Sequence, residues 1–323
     1  MLKTLSAMLQ GVLKSRKIFS NWLSAALHYA LINSETLYKT ALYKTIYKQL
    51  PDSLKTLGKA YINIKCRNGD EVHVDSVLYG YVIRGFDLGF IREIECDEKN
   101  DALIINGLMI KLKYNGDYFD LGSAKFKHMY FTILQTFAKQ EYGLVDVRGR
   151  VVVDVGAFVG DTAIYFALKG ARKVYAVEPH PSAYAEMLEN IKLNNMEGKI
   201  VPINAALGSK PGKIRIMDSD VANTISVYHG PESNGNIEIP MITLDQLIND
   251  YGIEPDILKM DCEGCEFDVI LNDYEHVKLF RELIFEYHDE NNRGLSKLLN
   301  KLNNDYTCKA FIGWSTEILY CIK

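Results

Sequence analysis

With 323 residues, 48% of them hydrophobic, the chain has ample material for one large or two modest cores. A net charge of −4 and an isoelectric point near 6.0 argue against a broad electrostatic grip on nucleic acid, so no nucleic-acid partner is expected. Six cysteines without a secretory leader pattern favour reduced thiols and a cytoplasmic location.

The charge is uneven. Residues 1–60 hold nine Lys and Arg against only Glu35 and Asp52, a net +7, which leaves −11 for the remainder. Apolar residues recur at three and four (Leu2, Leu5, Leu9, Val12, Leu13; Trp22, Leu23, Ala26; Tyr38, Leu42, Ile46, Leu50), the helical period. The uncharged span 18–34 falls short of the roughly 20 apolar residues that a spanning helix needs, and Lys14, Arg16 and Lys17 interrupt any leader core. Residues 1–60 therefore read as a basic helical segment. It suits a cap on the following domain, or peripheral attachment to a membrane or an acidic partner.

From Tyr61 the period changes to two. The runs YINIKC and EVHVD flank Asn68-Gly69, a strong hairpin signal, and further strand-like runs follow at Val82–Ile83, Ala102–Ile105 and Leu108–Leu112. Residues 61–144 read as a small antiparallel β subdomain closed by a linking helix at Lys125–Glu141.

Residues 145–323 carry the chemistry. Val151–Val153 lead through Asp154 into Gly156-Ala157-Phe158-Val159-Gly160-Asp161, and the next run, TAIYFALKG, has helical character. Strand, glycine turn and helix are the parts of a nucleotide-cofactor loop in a doubly wound sheet. The dinucleotide fingerprint would place glycines at 156, 158 and 161, whereas Phe158 and Asp161 stand here. A carboxylate in the first turn would repel a pyrophosphate at the positive helix end. A phosphate-free cofactor bearing an ammonium and a sulfonium gains from Asp154 and Asp161, which points to S-adenosylmethionine. The next strand, KVYAVEPHP, ends on Glu178, an acid placed to accept both ribose hydroxyls, and Pro179 and Pro181 fit the turn that follows.

A helix over 182–195, a strand at Ile200–Asn204 and an insertion over 211–241 follow. The insertion has strand patterns at Lys213–Met217 and Ile237–Met241 around a polar GPESNGN. Thr243-Leu244-Asp245-Gln246 is a capping-box helix start. The run DILKMDCEGCEF then gives a strand at Ile257–Met260, with Asp261, Glu263 and Glu266 crowding its carboxyl end, where ligands bind in open α/β sheets. The strand ELIFEYHDE ends with Glu286 and His288, and His288 is a group suited to removing a proton near neutrality.

The series DVGAFVGD, VEPHP, ITLDQL, LKMDCEGCE and FEYH resembles the FkbM-type S-adenosylmethionine-dependent methyltransferases over roughly 145–290, and K-x-D-x-E-G-x-E is its most specific block. The resemblance implies a Rossmann-like class I sheet of seven strands with the last reversed, supplied by Asp305–Phe311 and Thr316–Ile322. It also implies O-methylation of a hydroxyl on a sugar, glycan, lipid or polyketide-like metabolite. Cofactor-binding candidates are Asp154, Gly156, Ala157, Phe158, Gly160, Asp161, Glu178, Pro179 and Asp261. Catalytic candidates are His288 as base, Glu263 as the group positioning the acceptor, and Asp261. Two departures stand out: Phe158 replaces a common asparagine, and the first 120 residues match only loosely. A divalent ion on Asp261, Glu263 and His288 is the lesser mechanism, and no metal is assigned. RNA methylation and a non-catalytic binding role on the same fold are the alternatives. Cys262-Glu-Gly-Cys265 is formally C-x-x-C, with no second pair at zinc spacing, and Cys308 and Cys321 could face each other across a hairpin.

Overall fold

The structure is a computed structural model that describes residues 12–32, 61–111, 118–217, 221, 235–287, 294–312 and 317–323. The helical patterns at Leu2–Leu9 and Tyr38–Leu50, most of the polar stretch after Met217, and His288 lie outside the described residues. The chain divides into two compact units, Met1–Lys139 and Gln140–Lys323. No helix among the described residues is long and apolar enough to cross a membrane.

In the first unit the expected hairpin forms: Tyr61–Lys65 pairs antiparallel with Glu71–Asp75, and Gly69 turns at φ +99°. A helix at Trp22–Ile32 packs on the first of these strands. A second sheet is an antiparallel meander of Ile94–Asp97, Ala102–Ile105, Leu108–Lys111, Phe119–Asp120 and Lys125–Phe126.

Two local expectations are corrected here. Val82 and Ile83 lie in a helix, Ser76–Leu88, not a strand. Asp75 caps it by accepting N–H bonds from Val77 and Leu78, and Leu78, Tyr79, Val82, Ile83 and Phe86 form one buried helical stripe. The helix expected over Lys125–Glu141 is only Phe131–Phe137, because Lys125 and Phe126 pair with Asp120 and Phe119.

The second unit is built on a seven-stranded sheet. Its strands are β1 (Val151–Val155), β2 (Lys173–Val177), β3 (Ile200–Ile203), β4 (Ile257–Met260), β5 (Glu282–Tyr287), β6 (Thr307–Ile312) and β7 (Glu317–Ile322). The spatial order is β3-β2-β1-β4-β5-β7-β6, with β7 antiparallel to both neighbours. This is the Rossmann-like class I methyltransferase sheet, reversed last strand included. Every residue of β1 and of β4 is buried, as strands covered on both faces require. Connecting helices are α1 (Asp161–Leu168), α2 (Pro181–Leu193), α3 (Leu244–Tyr251), α4 (Cys265–Asn272) and α5 (Leu295–Leu302). Thr243 opens α3 with the expected capping box to Gln246. The insertion forms a small sheet of Ala206–Leu207, Ile237–Ile242 and Gly212–Ile216. At the amino ends of the strands Arg150 bonds Asp256, at 2.5 Å from Nη2, and Glu282, so charge pairing ties β1, β4 and β5 together opposite the site.

The expectation of reduced cysteines is also corrected. All six are paired, as Cys66–Cys96, Cys262–Cys265 and Cys308–Cys321. Cys308 and Cys321 are direct cross-strand partners on β6 and β7, with Cα atoms 4.1 Å apart, and backbone register brings them together. Paired cysteines persist outside reducing compartments, so the ground for a cytoplasmic reading is removed.

Candidate active site

The glycine loop is shaped by a collision it avoids. Gly156 has φ +73°, and a Cβ there would lie 1.7 Å from the Asp261 carbonyl oxygen. Only glycine lets β1 and β4 leave the sheet side by side. The Gly156 and Ala157 N–H groups donate to the Val177 carbonyl at 3.0 and 3.1 Å, so the loop leans on the end of β2. Phe158 takes a left-handed φ of +48°, and Gly160, at φ +83°, caps α1 and starts it at the buried Asp161.

Glu178 closes that loop from the other side. Its two carboxylate oxygens accept the backbone N–H groups of Phe158 at 2.9 Å and His180 at 2.8 Å. Burial pushes this carboxyl up to about 7, against the opposing pull of those two N–H groups and of Lys259. Asn204 fixes the strand end, its Nδ2 donating to the carbonyls of Glu178 and Pro179 at 2.9 and 3.0 Å. His180 Nδ1 accepts the Ser182 N–H, which leaves the protonated Nε2 to donate to the Met217 carbonyl at 3.2 Å.

Asp154 lies beneath the loop, fully buried. Its Oδ1 meets the Lys259 ammonium at 2.9 Å, and its Oδ2 accepts from the Thr162 hydroxyl at 2.6 Å. Lys259 is the register partner of Asp154 on β4 and is itself fully buried. Its Nζ donates also to the carbonyl of Gly156 at 3.0 Å and, at 3.4 Å, to that of Val155. Burial pulls this lysine down, yet the carboxylates of Asp154 and Asp261 outweigh it and hold the ammonium above its ordinary value. The positive group that Asp154 faces is thus one of the chain's own, and the pair clamps the glycine loop onto β4.

At the end of β4 the three acids divide their labour. Glu266 is fully buried and turned inward: its oxygens accept the N–H of Cys262 at 2.7 Å and of Gly264 at 2.8 Å. It staples the turn, and the Cys262–Cys265 disulfide spans the same residues. Glu263, at φ +54°, and Asp261 remain half-buried. Asp261 Oδ2 accepts from the Tyr142 hydroxyl at 3.1 Å. Tyr142 is buried, with Lys259 Nζ 5.4 Å from its ring centre, and burial followed by the Asp261 charge keeps its hydroxyl protonated well above the usual range. Glu286 on β5 is buried.

The structure therefore brings Asp154, Gly156, Ala157, Phe158, Gly160, Asp161, Glu178 and Asp261 to the carboxyl ends of three adjacent strands, with Glu263 on the loop after β4. Sequence reasoning missed Lys259, Tyr142, Thr162 and Asn204. For Lys259 a signal existed, a lone cation inside the apolar run Ile257–Met260. Tyr142 precedes every motif and carried none.

Residues 154–306 match the family model described as the methyltransferase FkbM domain. Among curated proteins, the 2-O-methyltransferase NoeI of Sinorhizobium fredii is 25% identical over 167 residues, 47% of this chain and 69% of that protein. The ribosomal protein L11 methyltransferase of Carboxydothermus hydrogenoformans is 42% identical over 78 residues, 24% of this chain. The chain spans only 25% of that relative's length, and 17% of the protein arginine N-methyltransferase 6 of Danio rerio. Among solved structures, an O-methyltransferase from Bacillus cereus in complex with SAH aligns over 56% of this chain and 77% of its own, at 16% identity and a TM-score of 0.35.

Proposed function

We propose, from the match of residues 154–306 to the FkbM methyltransferase domain, that this chain is a methyltransferase of that type and moves a methyl group from S-adenosylmethionine to a hydroxyl oxygen of a sugar, glycan, lipid or polyketide-like metabolite. The observation that carries the cofactor is the set of carboxylate acceptors at the strand ends. Asp161, Glu178 and Asp261 surround the glycine loop, and Lys259 on β4, the one buried lysine among the described residues, is already held by Asp154. Such a set suits a ligand that is cationic, carries vicinal hydroxyls and lacks phosphate.

When bound, the cofactor supplies an electrophilic methyl on a sulfonium. Glu178 would accept the ribose hydroxyls, since each of its oxygens receives one backbone N–H and keeps a second lone pair. The backbone of Ala157, Phe158 and Gly160 borders the cofactor, and Pro179 turns the chain away from it. Glu263 positions the acceptor hydroxyl. His288, the next residue after β5, takes its proton as the new bond forms.

Oxygen as acceptor is supported by how far each similarity reaches. The protein and tRNA methyltransferases match over 53 to 81 residues, whereas the match to NoeI runs over 167. The basic residues 1–60 are proposed as an attachment element for a membrane surface or an acidic partner.

Titration calorimetry on the full chain tests the cofactor. S-adenosylmethionine and S-adenosylhomocysteine should both bind, and Glu178→Gln should weaken both several-fold. Preference for a nicotinamide dinucleotide would overturn the reading. Mass spectrometry of cell glycans and lipids incubated with protein and cofactor should show products heavier by one methyl group. His288→Ala should slow their formation roughly 10²–10⁴-fold with cofactor affinity unchanged.

A further inference from the structure

We propose that Tyr142 is a positioning residue: its hydroxyl holds the Asp261 carboxylate toward the side of the glycine loop where the amino-acid arm of the cofactor lies, so that Asp261 takes the cofactor's ammonium. The inference rests on the cofactor reading above and adds a residue outside the family-matched segment, which begins at 154.

Sheet order sets the direction. β2 and β4 flank β1 on opposite sides, so Glu178 and Asp261 stand on opposite sides of the loop that follows β1. A cofactor whose ribose meets Glu178 and which crosses that loop presents its other end to β4. The end in question is an amino acid, and the half-buried carboxylate on that side at the strand terminus is Asp261.

The backbone of Asp261 has no freedom to choose. Its N–H donates to the Val155 carbonyl at 3.0 Å, and its own carbonyl is packed against Gly156. What is left to set is the side chain, and there Tyr142 donates to Oδ2 at 3.1 Å. The tyrosine is in turn fixed. It is 2% exposed, and its ring meets Phe166 edge-on at 6.1 Å between centroids. The Lys259 ammonium that clamps the glycine loop sits 5.4 Å from the ring centre. One contiguous group of Asp154, Lys259, Tyr142 and Asp261 therefore links the loop that carries the cofactor to the carboxylate that would meet its far end. A hydrogen bond to a charged group, donated from a site with little motion of its own, is a strong orienting contact.

The test compares two ligands on the full chain. S-adenosylhomocysteine carries the amino-acid arm, and 5′-methylthioadenosine has the same adenosine without it. Tyr142→Phe removes only the hydroxyl, and it should weaken S-adenosylhomocysteine about tenfold while leaving 5′-methylthioadenosine unchanged. Asp261→Asn keeps an acceptor oxygen for the tyrosine and removes the charge, and it should give the same split. Combined with Tyr142→Phe it should add little, as expected for two residues acting on one contact. Equal loss for both ligands would make Tyr142 a packing residue and overturn the proposal. So would unchanged affinity for both, which would leave Asp261 to the acceptor. If the wild-type chain binds neither ligand, the cofactor reading itself fails, a result distinct from either of these.

Discussion

Two loops leave the same edge of the sheet side by side, one after β1 and one after β4, and they keep their shapes by opposite means. The loop after β1 is held by the buried Asp154–Lys259 ion pair from below, with Glu178 accepting the Phe158 N–H from the side. The loop after β4 is held by neutral donors and a covalent bond, with Glu266 accepting two backbone N–H groups and Cys262–Cys265 spanning the turn. In each, one fully buried acid, Asp154 or Glu266, is an internal fastening, and in the loop after β4 the half-buried Asp261 and Glu263 are set apart from it by their exposure. An acidic cluster in a motif therefore mixes two kinds of carboxylate, and burial separates them.

The largest effect should come from the charged fastening. Lys259→Met leaves Asp154 buried without its ammonium, and breaking such a pair costs about 3–5 kcal/mol. Denaturant unfolding of the full chain should show that loss, and Asp154→Asn added on the Lys259→Met background should recover part of it. If Lys259→Met is as stable as the wild type, the charge does not hold the loop and the contrast between the two loops fails.

Glu266→Ala comes next. It leaves the N–H groups of Cys262 and Gly264 without their acceptor, at about 1–3 kcal/mol for each that stays buried. Water can reach a half-buried turn, so a total near 2 kcal/mol is expected. A stability equal to the wild type would mean that the disulfide alone keeps the turn. The Cys262→Ser, Cys265→Ser double variant answers that from the other side. Chain-entropy arguments give about 2 kcal/mol for so short a loop, and Glu266 should preserve its shape. Stability unchanged from the wild type would remove the disulfide from the account.

What could be read from the sequence follows the same division. Strand periodicity and glycine placement marked individual strands, the loop after β1 and the turn after β4, because those signals are local, while the seven-stranded sheet with its reversed last strand was implied by the family resemblance. The direction of a side chain is set by neighbours distant in sequence. Asp154 was read as facing a ligand cation, and its cation proved to be Lys259, 105 residues away on the adjoining strand. Glu266 looked like one more acid in a cluster, and only its two N–H partners show it turned inward. Val82 and Ile83 failed for a different reason: two β-branched residues in isolation favour a strand, and the Asp75 cap and the buried stripe around them overrule it. Of the cysteines, the facing of Cys308 and Cys321 was legible from the hairpin, whereas the pairing of Cys66 with Cys96, 30 residues apart, depends on tertiary neighbours that spacing does not reveal.

The smallest effect expected is a pH dependence that belongs to the charged loop alone. Glu178 titrates near 7 in the fold against an ordinary value of 4.5. A raised carboxyl binds its proton more tightly folded than unfolded, so its contribution to stability is complete below about pH 4.5 and fades as pH rises through about 7. Ligand affinity should run the other way, because the ionised carboxylate is the better acceptor for ribose hydroxyls. Between pH 6 and pH 8 the ionised fraction rises about tenfold, so S-adenosylhomocysteine should bind about tenfold more tightly at the higher pH, about 1.4 kcal/mol. Calorimetry across that range reads it directly, and Glu178→Gln should flatten the profile. A slope that survives in Glu178→Gln would take the dependence away from this carboxyl, and Glu178 would then be charged throughout.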